Sequence, residues 1–576
     1  MKQKWIAPCI FLAVSTMFMI PLLSHITWWG GQDWDQHFFY HEAPRKTILE
    51  YGQFPLWNPW YCGGTALLAN PQSVFMAPQF IFVLLFGAVI GIKLQAVFMT
   101  ALGMWGMWLL ARHLKFSSLG SYGASLIFFL GSWYALRIVS GHSIYLAIAY
   151  LPFAFLFFLK GFKHWRYALL SGVMITLMYF SGAAYPVAFT VMFLGLYGIL
   201  IALKKRKMRP LILLGIVAGA FLLTSAVKLI PMVSFLSDYG WQQHDSQYYG
   251  GGILWNSFFS RNQGILTQDK SFYYDPNSPE GREAWLSGKL PWGWHEYGSY
   301  IGFLVLALVL FSLRWWRHLW HYLLILGFFF WTMIGKYAFI NLSTLLFKLP
   351  LLRSLHGPSR FNIMVMFLIA LLAGFSLTRL QLMKKWGKII AGTVLALVII
   401  DLGSVSMPLL ADAFTHPPPS LNEDNDQFFH IIVSDPYTTQ YPNLMQNMGT
   451  ANCYERLHPE PSIIPLGSDD GTLNQYYAGE AFLVYDDKPL DILFSPNAFH
   501  VLNPDALQGL LELNQNFAPG WRSSAGRTFS SNGRVGVELS SQETEAVFRY
   551  LPGSFVVGAI ITLLSIAVII FLWWKR

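Results

Sequence analysis

Charge is what this chain has least of: Asp, Glu, Lys and Arg make up 12% of its 576 residues, against 54% hydrophobic and 17% aromatic. A soluble chain of this length would need a charged surface for several domains, so the composition excludes a soluble globular protein and reads as a polytopic membrane protein. Cysteine is nearly absent. Cys9, Cys62 and Cys453 are too few for a disulfide framework and lack the CxxC or Cys/His spacing of a zinc site. Spacing alone leaves a single Cys62–Cys453 bridge open. Acidic residues are scarcer than basic ones, 30 against 39, yet the resulting +9 is no nucleic-acid footprint, because the basic residues fall in short clusters between apolar runs. No nucleic-acid partner is expected; the partners implied by composition are membrane lipids.

Apolar runs of spanning or near-spanning length cover residues 5–27, 94–110, 119–136, 144–159, 167–179, 187–202, 211–229, 300–313, 320–334, 361–377, 389–405 and 553–573. The first follows Lys2 and Lys4 and ends without a small-residue cleavage site, so it reads as a retained helix with a cytosolic N-terminus. Basic clusters at Arg112/Lys115, Lys160/Lys163/Arg166, 204–209, Arg314/Arg317, Lys384/Lys385/Lys388 and Lys575/Arg576 fall at alternate ends of successive runs. About twelve transmembrane helices satisfy every cluster. Residues 74–90 are apolar enough to span but would invert all later clusters, so they are expected to form a re-entrant or interfacial segment. Both termini are then cytosolic, and residues 28–73, 231–299 and 411–552 lie outside. None of the short inner loops contains Asp or Glu, so the loop carboxylates share the outer face. The expected organisation is a transmembrane module over 1–410, an extracytoplasmic β-rich or α/β domain over 411–552, and a last helix with a short tail over 553–576. That domain opens on Pro417-Pro418-Pro419, and alternation in RVGVEL and EAVFRY suggests half-buried strands around a core of its own.

Candidate site residues gather in the outer segments. Asp33 and Asp35 follow the first helix in a D-x-D spacing, but nucleotide sugars are made on the other side of the membrane, so a metal-nucleotide role is set aside. Either aspartate suits the cap or first turn of an amphipathic helix over 36–51. In a helix Asp33, His37 and His41 would share a stripe able to ligate a divalent cation such as Mg or Mn. The run GQFPLWNP reads as backbone packed against membrane helices at the interface. The second long loop carries Asp238, His244 and Asp245 and closes on WGWHEYG, where Glu296 abuts a helix on the same face as Asp33. Arg353 and Arg360 defy the positive-inside trend, which either an outer-leaflet phosphate or snorkelling would explain. Asp401 lies inside an apolar run and needs a cavity or a basic partner. Arg137 and His142, in RIVSGHS, are outer-face polar residues suited to capping and anchoring.

The pattern DWDQHFF, YGQFPLWNPWYCGG, LLANPQS, then SGHS, KLIPM, EYGSYIG, LHGPSRF and NFAPGWRSSAG resembles the YfhO-like family of bacterial membrane glycosyltransferases across nearly the whole chain. The resemblance implies a GT-C-like fold in the bacterial cytoplasmic (inner) membrane. It also implies a polyprenyl-phosphate-linked sugar donor, a glycan, lipid or protein acceptor, and an essential first-loop carboxylate, best matched by Asp33. Gly182-Ala183-Ala184-Tyr185 departs from the Gly-His-Pro-Gln type sequence of relatives, so the family's role for that segment does not carry over. An acceptor hydroxyl needs a carboxylate to take its proton, and a leaving polyprenyl phosphate needs cations. The expected roles are therefore Asp33 as base, Asp35 or Glu296 positioning acceptor or cation, and Arg353 or Arg360 holding phosphate. A transporter or flippase of lipid-linked glycans is the competing class, although the sequence shows no repeated halves; a non-catalytic scaffold with a glycan-binding outer domain is the third.

Overall fold

The computed structural model describes residues 2–31, 33–236, 249, 251–264, 293–349, 352, 355, 357–383, 386–420, 427–455, 462–485 and 488–575. Among them, eight helices are long and apolar enough to cross a membrane, or nine if the bent pair Arg209–Thr224 and Ala226–Leu236 forms one span. The chain is a polytopic helical membrane protein with a sheet domain before its last helix, Gly553–Trp574. The number of long helices is lower than the about twelve crossings that the charge pattern suggested, because several runs are broken. Pro21 opens a separate short helix, Ile20–Ser24, and the pair around Ser225 bends by 77°. The stretch Gly302–Tyr337 also turns back on itself. Ser376 donates to the Leu308 carbonyl and Trp315 packs on Phe375, whereas Phe329 returns to Phe361 at the opposite end of the same partner helix.

That partner, Asn362–Gln381, is buried along nearly its whole length and forms the centre of the bundle. It sits against Ser118–Phe129 through paired glycines: a Cβ on Gly120 would lie 2.4 Å from the Gly374 carbonyl, and one on Gly374 2.6 Å from that of Gly120. Without a hydrophobic drive between helices in lipid, such backbone approach is what gives the contact its dispersion energy. Residues 74–90 do not cross on their own. After a 3₁₀ turn at Pro78–Phe80, the helix Ile81–His113 is broken at Gly87, and a Cβ on Gly91 would fall 2.6 Å from the Val83 Cα, so the first piece folds flat onto the second. Glu42 accepts the Ala88 N–H at 2.9 Å and caps the longer piece, while Arg45 holds Glu42 at 2.6 Å.

The sheet domain has three parts. Phe429–Ile432 pairs in parallel with Met448–Thr450 and Gly467–Ser468. An antiparallel five-stranded sheet centres on Gly509–Asn516, and a four-stranded one contains Ala498–Leu502 and Glu545–Tyr550. Both alternating segments, Arg534–Leu539 and Glu545–Tyr550, are strands. The first long loop touches the membrane helices, Phe54 against Phe555 of the last helix at 5.3 Å and Lys228 on the Pro71 and Ser73 carbonyls, and its middle is built into this domain. Trp57 lies between Trp521 and Tyr550, with centroids at 5.1 and 4.6 Å, and its indole N–H donates to Gln515 at 2.8 Å. Asn516 donates to the carbonyls of Cys62 and Gly64 at 2.6 and 3.0 Å, and a Cys62–Cys453 disulfide closes the junction. A run rich in Pro and Gly leaves its amide groups unpaired, and the Asn and Gln side chains of the long strand supply the partners.

Asp35 belongs to the same junction. Its carboxylate accepts the N–H groups of Gln440 (2.8 Å) and Tyr441 (3.2 Å), capping the short helix Gln440–Met445 of the sheet domain. This corrects the expectation that Asp35 positions acceptor or cation: both oxygens are committed and the residue is buried. Asp35→Ala strands two buried amides. It is expected to cost about 2–4 kcal/mol of stability, read as a lower thermal unfolding midpoint and faster proteolysis within the sheet domain.

Candidate functional site

Three segments meet where the bundle touches the sheet domain. The turn Ser140-Gly141-His142 follows the helix Ser132–Val139, and Gly141 adopts φ +88°. A Cβ there would be strained and would lie 2.7 Å from the Asp33 carbonyl carbon, so only glycine lets this turn press on the first loop. His142 thereby reaches Asp33. Its Nε2 lies 2.9 Å from Asp33 Oδ2, and the Tyr454 hydroxyl donates to Asp33 Oδ1 at 2.8 Å. Arg137 lies 3.1 Å from His142 Nδ1. Arginine can only donate, so Nδ1 is the acceptor and the imidazole proton sits on Nε2, aimed at Asp33.

Arg137 continues inward to Glu296 at 2.9 Å, and Arg360 grips the same carboxylate twice, at 2.9 Å from Nε and 2.6 Å from an amino group. Tyr145 lies under the Arg137 guanidinium (4.6 Å) and Tyr185 under that of Arg360 (4.4 Å). A continuous chain of bonds therefore runs Tyr454–Asp33–His142–Arg137–Glu296–Arg360.

Electrostatics separate the carboxylates. Burial would raise Asp33, but the hydrogen bonds from His142 and Tyr454 outweigh it and hold the carboxyl well below the usual carboxylate range. Glu296 is more buried still, yet the charges of Arg137 and Arg360 keep it well below its ordinary value. In contrast, burial joined by the negative charge of Asp33 pushes Glu455 up to about 7, against the pull of a hydrogen bond from Gln72 and the charge of Arg360.

The sequence candidates divide accordingly. Asp33 stands at the start of the helix Trp34–Leu49 without a capping bond, so its carboxylate faces the site and the cap reading is not what the geometry gives. The stripe of Asp33, His37 and His41 does not assemble, because the helix starts after Asp33: His37 pairs with Ser143 at 3.0 Å and His41 with the His37 carbonyl at 2.7 Å. The group of metal-capable donors among the described residues is instead His142, His295 and Glu296, with ligand atoms within 4.8 Å of one another. It does not suit a divalent cation. Two guanidinium groups already occupy the Glu296 oxygens, and both His142 nitrogens are in use; Mg and Mn moreover prefer oxygen ligands. Glu296 and Arg360 thus hold each other, which corrects the roles of acceptor positioning and free phosphate clamp. Asp401 is bonded by Arg261 and by the Tyr300 hydroxyl at 3.1 Å, away from this chain of bonds. His244 and Arg353 lie outside the described residues. Sequence reasoning missed Tyr454 and Glu455; the cysteine pairing was the signal, since Cys453 adjoins Tyr454 and its partner Cys62 lies in the first loop. It also passed over Tyr185, in the segment that departs from the family pattern.

No protein-family model and no curated protein matches the sequence. Among solved structures, the chain is similar to the arabinofuranosyltransferase AftD from Mycobacteria, with 14% identity, a TM-score of 0.49, and coverage of 95% of this chain and 40% of that one. It is also similar to the oligosaccharyltransferase AglB from Archaeoglobus fulgidus, with 13% identity, a TM-score of 0.42, and coverage of 78% of this chain and 65% of that one. The chain therefore spans less than half the length of AftD. Likeness at these scores is partial, and the chemistry rests on this chain's own residues.

Arg137→Met leaves Glu296 paired with Arg360 but removes the donors to Glu296 Oε2 and to His142 Nδ1. It is expected to destabilise the protein by about 1–3 kcal/mol, measured by chemical or thermal unfolding in detergent; an unchanged midpoint would mean that Arg360 alone holds Glu296.

Proposed function

We propose that the protein is a GT-C-type glycosyltransferase of the bacterial cytoplasmic membrane. It moves a sugar from a polyprenyl-phosphate-linked donor to a cell-envelope acceptor on the outer face, the acceptor being a glycan, a lipid or a protein. The observation that carries this reading is Asp33, an ionised and partly accessible carboxylate held by His142 and Tyr454 where the bundle meets the sheet domain. An acceptor hydroxyl docked on this fixed anion is oriented for attack, with no reorganisation needed at the moment of reaction. The paired guanidinium charges of Arg137 and Arg360 exceed the single charge of Glu296, and the surplus lies one hydrogen bond beyond His142, where it balances the ionised Asp33.

A transporter would show paired broken helices and midplane ions, and Asp401 is the charge the sequence placed inside an apolar run. Its partner Arg261 is 54% exposed, so the pair reads as a surface ion pair and not as a closed midplane site.

Asp33→Asn is expected to reduce transfer by at least about 100-fold while donor-lipid binding stays near normal, as measured by turnover and by titration of the purified protein. Near-normal turnover would remove Asp33 from the chemistry. For sidedness, reporter fusions at Pro418 and after Arg576 are expected to mark opposite compartments; a shared compartment would overturn the outer-face assignment.

A further inference from the structure

We infer that Glu455, supplied by the sheet domain, is the general base that takes the acceptor's proton, while Asp33 orients the acceptor hydroxyl. This rests on the transferase reading above. The placement of Glu455 is fixed from both sides. Its N–H donates to the Tyr61 hydroxyl at 3.0 Å, and its carbonyl accepts from that same hydroxyl at 3.1 Å. The neighbouring residues in the chain are Tyr454, bonded to Asp33, and Cys453, bonded to Cys62 beside Tyr61. The strand of chain that carries Glu455 is therefore pinned to the first loop at three successive residues.

The side chain is arranged for proton transfer. Oε2 accepts from the Gln72 amide at 2.6 Å. Oε1 has no hydrogen-bond partner among the described residues, and the residue is only part-buried, so this oxygen is open to a ligand. Asp33 differs in its oxygens, each of which already accepts a hydrogen bond. The groups that act on Glu455 come from every element around it: Asp33 and Tyr40 at the first helix of the loop, Tyr61 beyond it, the adjacent Tyr454, and Arg360 from the 3₁₀ turn that leads into the central helix. With burial and Asp33 pushing it up to about 7, Glu455 sits near neutrality, where a general base works best, whereas Asp33 is held too acidic to keep a proton.

The step balances without a further reactant. The acceptor oxygen forms a bond to the anomeric carbon, and its proton passes to Glu455 Oε1. The bond between the anomeric carbon and the phosphate oxygen breaks, and its electron pair leaves with the polyprenyl phosphate. Glu455 then returns the proton to solvent.

The test uses the full-length protein in lipid nanodiscs with synthetic polyprenyl-phosphate glucose, galactose and N-acetylglucosamine as donors and a cell-envelope glycan as acceptor. The wild-type rate is expected to rise with pH through about 7, following deprotonation of Glu455. Glu455→Gln is expected to lower kcat by about 100-fold, leave the donor KM near normal, and abolish that limb. Glu455→Asp keeps a carboxyl and should restore the limb at a reduced rate, which a merely structural residue would not do. Asp33→Asn should lose rate and keep a limb displaced to lower pH, because the charge that helps raise Glu455 is gone. Wild-type turnover in Glu455→Gln, or a limb that survives in it, overturns the assignment and leaves the transferase reading standing. A wild-type protein that transfers none of these sugars overturns both.

Discussion

Glu296 is a carboxylate with 1% of its side chain exposed, and at such a position charge survives only with partners in close geometry. Arg137 comes from the helix before the SGHS turn, and Arg360 from the 3₁₀ turn that leads into the central helix. One buried anion thus fastens two separate segments to the loop that carries it. Arg137, fixed in this way, has a donor left over for His142, and that donor decides which imidazole nitrogen holds the proton. The orientation of Asp33 is therefore set from the interior outward. The sequence expectation had Glu296 and Arg360 touching substrate; the structure has them bonded to each other and, through Arg137 and His142, linked to Asp33.

The second constraint is covalent and aromatic. A loop between membrane helices that is rich in Pro, Gly and Trp has no regular ladder to satisfy its backbone, and here a neighbouring β-domain supplies one. Asn497 accepts the N–H groups of Leu56 and Trp57, and Asn516 serves the carbonyls around Gly63. Burying Trp57 against Trp521 and Tyr550 adds apolar area on the order of 150–250 Å² per ring. The disulfide then joins residues 391 apart in sequence. Bundle and sheet domain are in this sense one structural unit, and the site forms at their seam.

What the sequence disclosed follows from what is local. Low charge and repeated apolar runs define a membrane protein, alternation marks Arg534–Leu539 and Glu545–Tyr550 as strands, and the distance of Asp33 from the first helix sets it at the membrane surface. The separate fates of Asp33 and Asp35 were not readable, because two carboxylates on either side of Trp34 differ only in what the fold brings to each: a histidine and a tyrosine to one, a helix terminus to the other. Helical spacing also misled for His37 and His41, since the periodicity holds only from Trp34 onward. Tyr454 lies 421 residues from Asp33, and no local pattern announces a contact at that range.

A pair of carboxyls in one cleft is informative when the surroundings drive them apart in acidity. Asp33 receives two hydrogen bonds and stays ionised across the neutral range; Glu455 receives one, and burial joined by the Asp33 charge pushes it up to about 7. The first effect feeds the second, because burial and the permanent Asp33 charge together keep Glu455 basic. His142 and Tyr454 act on both residues at once: by fixing the anion they also tune its neighbour. Tyr454 contributes further through its place in the chain, between the disulfide and Glu455. A polar residue substituted for Tyr454 would disturb the charge and the placement of the second carboxyl together, so the fixed anion and the titratable base are two faces of one arrangement.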